Sequence, residues 1–573
     1  MKRSLLATVC VAPLAAAPVW LVGASYAFMA ANGLLGIPGQ WDRATAWWTY
    51  ARSDYASIPS VKITLALSAL LAATPFAAVA ALIWRRGSGR KLRRSPYGSR
   101  RPIEPGVTDN HGHAEFATPV DLRQLRGPGC LIGATDRSAK PRFIYGPEDG
   151  HSLIFGAPGS GKSTTAVTRL MHWNGPRVVF DPSCELGPIM TPALTAAGFK
   201  VHSVGFGKSG FNALDWIDVA HPEHDAHIRV LVDHIYDADA AGRSRGGQSD
   251  PFWDKQARAL IACLLAHLLH DSSVPHTLAA LRVGIATPEA QLPTLLAGIH
   301  QSSGSTMARD LAGGLMQMAA PETFSGIAAN ARSGTDWLSV QPYVDLVSGN
   351  DFKSSDITDP KTVLFVQLPL RSLLASRALG RAVMAALFNA LFHAEGQIER
   401  PVLFQIDEAA VLGPLKEISL CYATARKYRG VICCAYQSEA QLADVFGVDG
   451  ARTIRDSVTW RSYNAVQDGD VAAKLSRDLG EYAVLAYSEG DNQGTSKSSG
   501  PGSGSSSKGS TQSKHEIKRS LLKADEIMRA PSDQMWVLLR NFPCPIECVT
   551  APYYRYPEIV RQMAPNPFAR KSS

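Results

Sequence analysis

Leu153-Ile154-Phe155-Gly156-Ala157-Pro158-Gly159-Ser160-Gly161-Lys162-Ser163-Thr164 decides how the rest of this 573-residue chain is read. Three apolar residues fit a strand buried on both faces, and they run straight into the pattern G-x-x-x-x-G-K-S. The residues that follow, 164–172, predict a helix. In that order the glycines let backbone N–H groups turn inward around phosphate oxygens at a helix N-terminus. Lys162 is placed to reach the β/γ-phosphates and Ser163 to ligand Mg2+. Gly156, Ala157, Pro158, Gly159, Ser160, Gly161, Lys162, Ser163 and Thr164 are therefore the candidate nucleotide-binding residues, with ATP and Mg2+ as the expected cofactors. A glycine-rich turn without a ligand would need neither the lysine nor the flanking strand and helix.

A nucleotidase also needs a carboxylate at the end of a neighbouring strand. Val402-Leu403-Phe404-Gln405-Ile406-Asp407-Glu408 supplies it. Asp407 is expected to hold the Mg2+ shell with Ser163, and Glu408 to polarise the attacking water. Lys162 and Asp407 lie 245 residues apart, so something is inserted between their strands. Further apolar runs at 177–181, 362–368 and 431–436 alternate with helical patterns, which predicts a parallel sheet with helices on both faces. Ligands bind at the carboxyl ends of such strands, where the phosphate loop, Asp181, Asp407 and Gln437 all fall. Lys162, Glu408, Arg426 and Gln437 form the catalytic set.

Residues 213–350 lack the strand pattern and read as helical, for example at 224–237, 253–270 and 307–320. The chain is therefore divided into a nucleotide-binding domain over 126–212 and 351–573 and an all-α domain over 213–350. Residues 488–514 are dominated by Ser, Gly and Lys, and too little apolar surface to offset chain entropy predicts a disordered loop there.

The N-terminal segment differs from the body. Residues 4–30 and 63–84 are uncharged apolar runs, each long enough to cross a bilayer core of about 30 Å. Trp41, Trp47, Trp48 and Tyr50 lie between them, as an interfacial aromatic belt would. Basic residues flank the pair, so 1–84 reads as a two-helix transmembrane hairpin with both ends in the cytoplasm. Residues 85–125 read as a juxtamembrane linker and opening segment; 85–101 hold eight Lys or Arg and no acid. Of the net charge of +8, residues 1–101 carry +11, which leaves 102–573 at −3. The body therefore has no bulk basic excess for nucleic acid, although a local patch stays open. Nine cysteines without paired CxxC motifs exclude a zinc ribbon and fit a reducing compartment.

At this level the chain resembles the type IV secretion coupling proteins, the TraG/TraD-like ATPases of bacterial conjugation. The resemblance runs from His113-Ala114-Glu115-Phe116-Ala117-Thr118 through the phosphate loop to Phe180-Asp181-Pro182-Ser183-Cys184-Glu185-Leu186. It continues in Phe211-Asn212-Ala213-Leu214-Asp215-Trp216, in Asp407-Glu408, and in Ala423-Thr424-Ala425-Arg426 through Gln437-Ser438. Leu475–Gly480 and Pro552-Tyr553-Tyr554 close it. Ser183 and Cys184 depart from it, standing where the family often has Lys and Gly. The resemblance implies an α/β RecA-like ATPase with an inserted all-α domain, assembled as a homo-hexamer at the bacterial inner membrane. It implies recruitment of a relaxase–DNA complex or protein effectors to a type IV secretion channel, with Arg426 acting on a neighbour's nucleotide.

Two other functions share these residues. One is an ATP-gated receptor for protein effectors that pumps no DNA. The other is an FtsK-like DNA translocase, disfavoured by the short membrane segment and the absence of a C-terminal DNA-reading module. An ABC-type ATPase is disfavoured because no LSGGQ-like signature is present.

Overall fold

The computed structural model describes residues 20–31, 45–87, 111–237, 251–318, 320–496 and 505–568. The chain divides into two compact units, Met1–Pro105 and Gly106–Ser573.

In the first unit, residues 20–31 are helical and α1 spans Pro59–Gly87. Trp20 and Trp47 donate their indole N–H groups to the carbonyls of Ala69 (3.2 Å) and Leu65 (2.9 Å) in α1, and their rings meet edge-on at 5.2 Å. Among the described residues no helix is long and apolar enough to cross a membrane. The expectation of two complete spans is therefore not met there. Part of the first expected span, 4–19, and the basic run 88–101 lie outside the described residues.

The second unit is built on one eleven-stranded sheet in the order β2-β1-β13-β12-β9-β3-β8-β7-β4-β6-β5. Its strands are β1 (Leu131–Ala134), β2 (Phe143–Tyr145), β3 (Ser152–Gly156), β4 (Arg177–Phe180), β5 (Lys200–Gly205), β6 (Thr362–Gln367), β7 (Val402–Ile406), β8 (Gly430–Tyr436), β9 (Trp460–Asn464), β12 (Gln534–Leu539) and β13 (Ile546–Val549). From β9 to β5 every neighbouring pair is parallel, and the four strands on the other side pair antiparallel. The sheet is thus mixed, not wholly parallel. Alternate residues of the parallel strands enter different cores. Leu153, Phe155, Val178, Phe180, Phe404 and Ile406 pack on one side. Ile154, Val179, Leu403 and Val431 pack on the other.

Helices cover both faces. They include α2 (Lys162–His172), α3 (Leu186–Ala196), α4 (His224–Ile235), α5 (Pro251–His270), α6 (Arg377–His393), α7 (Lys416–Thr424) and α8 (Glu439–Ser457). α6 is apolar nearly all round and lies buried between sheet and insertion, as a central helix must. Between Asn212 and Phe352 the described elements are helices alone, and they share one core with the sheet. The two ends of this insertion are tied together: Phe211 and Ala213 donate their N–H groups to Leu346 (2.9 Å) and Val347 (3.0 Å), and Asp215 accepts the Ser354 N–H at 2.8 Å.

A further expectation needs correction. Residues 488–514 are not wholly irregular: β10 (Glu481–Ser496) pairs antiparallel with β11 (Ser505–Ser520) in a separate two-stranded ribbon. Backbone pairing needs no apolar side chains, and it propagates outward from Val484 opposite Ile517. Residues 497–504 lie outside the described residues, as do residues 238–250.

Gln405 is the one polar residue of β7, and its Oε1 accepts the buried Arg169 guanidinium at 3.1 Å. Arg169 Nε also donates to the Leu131 carbonyl at 2.7 Å, so this α2 side chain ties β7 to β1. Gln405→Leu leaves part of a buried cation unpaired, and should destabilise the protein by about 1–3 kcal/mol. Adding Arg169→Met should recover part of the lost thermal midpoint; strictly additive losses would show that the pair does not interact.

Candidate active site

The phosphate loop joins β3 to α2. Gly159 and Gly161 sit at φ +75° and +87°, a conformation that glycine adopts without Cβ strain. Gly156 has no room for a side chain: a Cβ there would meet Asn464 Oδ1 at 2.2 Å. Asn464, at the end of β9, donates Nδ2–H to the Ser160 carbonyl at 2.8 Å and so braces the loop from beneath. Ser160 Oγ is buried without a partner among the described residues, as an oxygen waiting for a ligand would be. Ala157, Pro158 and Gly159 form the open lip, and Thr164 Oγ1 caps back to the Gly161 carbonyl at 3.1 Å.

Lys162 folds its ammonium onto the loop's own carbonyls, Gly156 and Ala157. Burial lowers its pKa, while Asp407 and Glu408 oppose the shift. Ser163 Oγ donates to Asp407 Oδ2 at 2.6 Å, so the two expected metal-shell residues already touch. Asp407 is buried, and that burial raises its pKa against the Ser163 hydrogen bond that lowers it. The loop's glycine conformations, the orphan Ser160 hydroxyl and this hydroxyl–carboxylate pair fit a magnesium–nucleoside triphosphate.

Strand order explains Gln437. β8 lies between β3 and β7, so the residue leaving its carboxyl end stands between the phosphate loop and Asp407-Glu408. Gln437 Nε2 donates to Glu408 Oε2 at 3.1 Å, and Gln441 Nε2 donates to Glu408 Oε1 at 2.9 Å. Glu408 itself has φ +59° and ψ +60°, a strained backbone for a non-glycine residue. Its carboxylate is aimed by that turn and fixed by two amides. Gln441 was not foreseen; its signal is the spacing of four from Gln437 at a helix start.

Asp181 is a different case. Its carboxylate accepts N–H groups from Leu186 (2.9 Å) and Gly187 (3.2 Å), the Ser183 hydroxyl (2.8 Å) and Gln367 Nε2 (3.2 Å). It serves α3 as an N-terminal acceptor and has little left for a metal. Cys184, where the resemblance places glycine, has φ +57°. Lys208 donates its ammonium to Gln367 Oε1, the side chain that also bonds Asp181.

Arg426 does not join its own phosphate loop. It follows α7 and is exposed, with Nε 3.1 Å from Asp149 Oδ2 and a terminal N–H donated to Thr459 Oγ1 at 3.1 Å. Asp149 and Thr459 precede β3 and β9, at the amino ends of the strands. The structure thus unites twelve of the thirteen expected site residues at the carboxyl end and leaves Arg426 at the opposite edge.

A family model described as type IV secretory system conjugative DNA transfer matches residues 126–573. The type IV secretion system-coupling protein VirD4 of Bartonella henselae is 30% identical over 430 residues, 73% of this chain. The conjugal transfer protein TraG of Agrobacterium fabrum is 31% identical over 428 residues, again 73% of this chain. The chain spans 65% and 63% of the lengths of these two curated relatives. Among solved structures, unbound TrwB, a bacterial conjugative coupling protein, has a TM-score of 0.56 at 16% identity, covering 76% of this chain and 92% of that one. TrwB in complex with ADP and Mg2+ gives 0.55 at 16% identity, covering 77% and 93%. The shared fold is the mixed, RecA-like α/β sheet that carries the phosphate loop, and the chain belongs to the type IV secretory system conjugative DNA transfer family.

Proposed function

We propose that this protein is a coupling ATPase: a ring-forming motor, homo-hexameric by resemblance, that hydrolyses ATP to drive a relaxase–DNA complex into a type IV secretion channel. The observation that carries the ATPase reading is the 2.6 Å hydrogen bond between Ser163 and Asp407, which brings two halves of a metal shell together across the insertion. TrwB in complex with ADP and Mg2+ supports the same ligands here. Bound Mg2+ would neutralise charge on the phosphates. The chain's own residues do the rest. The loop N–H groups and Lys162 bind and orient the triphosphate, Ser163 and Asp407 hold the metal, and Glu408, fixed by Gln437 and Gln441, orients the attacking water.

The substrate reading rests on family membership and on the names of its relatives, a coupling protein and conjugal transfer proteins. Protein effectors remain the second reading, because the body carries no net basic charge. The uncharged runs, aromatic residues and basic flanks of the N-terminal segment support association of the protein with the inner membrane.

Lys162→Ala removes the charge aimed at the β/γ-phosphates and touches no core contact. In cells where the variant resists alkaline carbonate extraction from membranes as the parent does, ATP turnover and substrate transfer should both fall at least about 100-fold. Transfer at the parental rate would contradict the motor reading.

Arg426 belongs to this proposal as a residue acting in trans. It is exposed, faces away from its own loop and is held by an exposed ion pair worth at most about 1 kcal/mol, so exchanging Asp149 for a neighbour's γ-phosphate costs little. An arginine supplied this way is worth about 10³–10⁵ in rate. Arg426→Ala should keep ATP affinity and lose turnover, and mixing it with Lys162→Ala subunits should restore part of the activity. Mixed rings as inactive as either parent would show that Arg426 does not act across the interface.

A further inference from the structure

The stretch His221-Pro222-Glu223-His224-Asp225-Ala226-His227 opens the insertion and plays no part in the nucleotide site. Three of the chain's 15 histidines lie within it. A turn at Asp218, whose carbonyl accepts the His221 N–H at 3.0 Å, brings His221 back over the first turn of α4, where His227 lies. Ligand atoms of His221, Glu223 and His227 all fall within 4.8 Å of one another. A third imidazole arrives from elsewhere: His393, the last residue of α6 in the nucleotide-binding domain. Its ring centre is 4.7 Å from that of His227 and 5.7 Å from that of His221, while His221 and His227 are 5.1 Å apart. Three imidazoles on one tetrahedral zinc, with Zn–N of about 2.0–2.1 Å, have ring centres about 5 Å apart.

We propose that His221, His227 and His393, with the Glu223 carboxylate as fourth ligand, bind a divalent transition metal at the root of the all-α insertion. Three imidazoles and one carboxylate select a borderline cation, zinc first, over Mg2+ or Ca2+, which take oxygen ligands. A second observation points to a ligand independently of the clustering. Nδ1 of His227 is buried and has no hydrogen-bond partner among the described residues, a costly state that a metal bond would relieve. The Trp216 ring packs on both imidazoles, at 5.4 Å from His227 and 5.6 Å from His393. His221 Nδ1 accepts the Glu223 N–H at 3.1 Å; a metal takes that lone pair and leaves an amide on an exposed residue to water. His224 stays outside the site: its Nδ1 is engaged with the His221 carbonyl and its Nε2 with Asp225.

Because the ligands come from the turn before α4, from α4 and from α6, the metal staples the insertion to the nucleotide-binding domain. The role is structural and needs no ATP.

The test is a Co2+ titration of the untagged full chain, stripped with chelator and free of nucleotide, read by visible absorption. A tetrahedral site gives an intense d–d band, whereas the oxygen ligands of the phosphate loop do not. One Co2+ per chain in a tetrahedral site, displaced by Zn2+, is expected. His227→Ala and Glu223→Gln should each weaken binding at least about tenfold. His393→Ala should do the same; it trims an exposed side chain and so remains informative if His227→Ala fails to fold. No tetrahedral band in the parent protein, or a band of parental affinity in His393→Ala, would overturn the proposal. Because the readout is independent of ATP turnover, it separates this site from the motor reading.

Discussion

The hydrogen bond from Ser163 to Asp407 is the contact on which the rest of the structure depends. It closes a loop of 244 residues, and everything inside that loop is arranged so that it can form. Pairing of β4 with β7, in register from Arg177 opposite Leu403 to Phe180 opposite Ile406, sets the depth of Asp407. β8 then fills the gap between β7 and β3 and delivers Gln437 to Glu408. Remove that order and the carboxylates lose their alignment with the phosphate loop.

The insertion is accommodated without disturbing this alignment because its two ends are clasped. Phe211 to Asp215 and Leu346 to Ser354 meet in backbone and carboxylate hydrogen bonds, so a long helical excursion leaves and re-enters at one point. Two further contacts bind it to the nucleotide-binding domain. The ring of His227 in its first helix packs 4.7 Å from that of His393 in α6. The buried pair of His234 in α4 and Glu417 in α7 reaches the helix that precedes Arg426. A displacement of the insertion is thereby connected to the edge of the domain that carries the arginine, through packed elements and not through solvent.

Sequence patterning reveals the mainly apolar strands, β3, β4, β6, β7 and β8, because each is buried on both faces and its motif follows at the carboxyl end. It hides β9 and β12. Trp460-Arg461-Ser462-Tyr463-Asn464 interleaves polar with aromatic residues, since its side chains serve the loop brace and the antiparallel flank rather than a uniform core. Asn464 and Gln441 are site residues that only tertiary pairing exposes, because neither lies in the motif it supports. The ribbon over 481–520 hides for the opposite reason: serine and glycine carry little burial signal, and its order comes from backbone pairing. Arg426 is legible as a basic residue after a helix, whereas its distance from its own loop is a property of strand direction.

The central claim is that Glu408, held by Gln437 and Gln441, orients the water that attacks a nucleotide bound by the phosphate loop. The most direct measurement is ATP binding and turnover by Glu408→Gln. The account predicts affinity for ATP within about twofold of the parent and turnover lowered at least about 100-fold, the range expected for loss of a general base. Parental turnover, or loss of ATP binding with the fold intact, would contradict it.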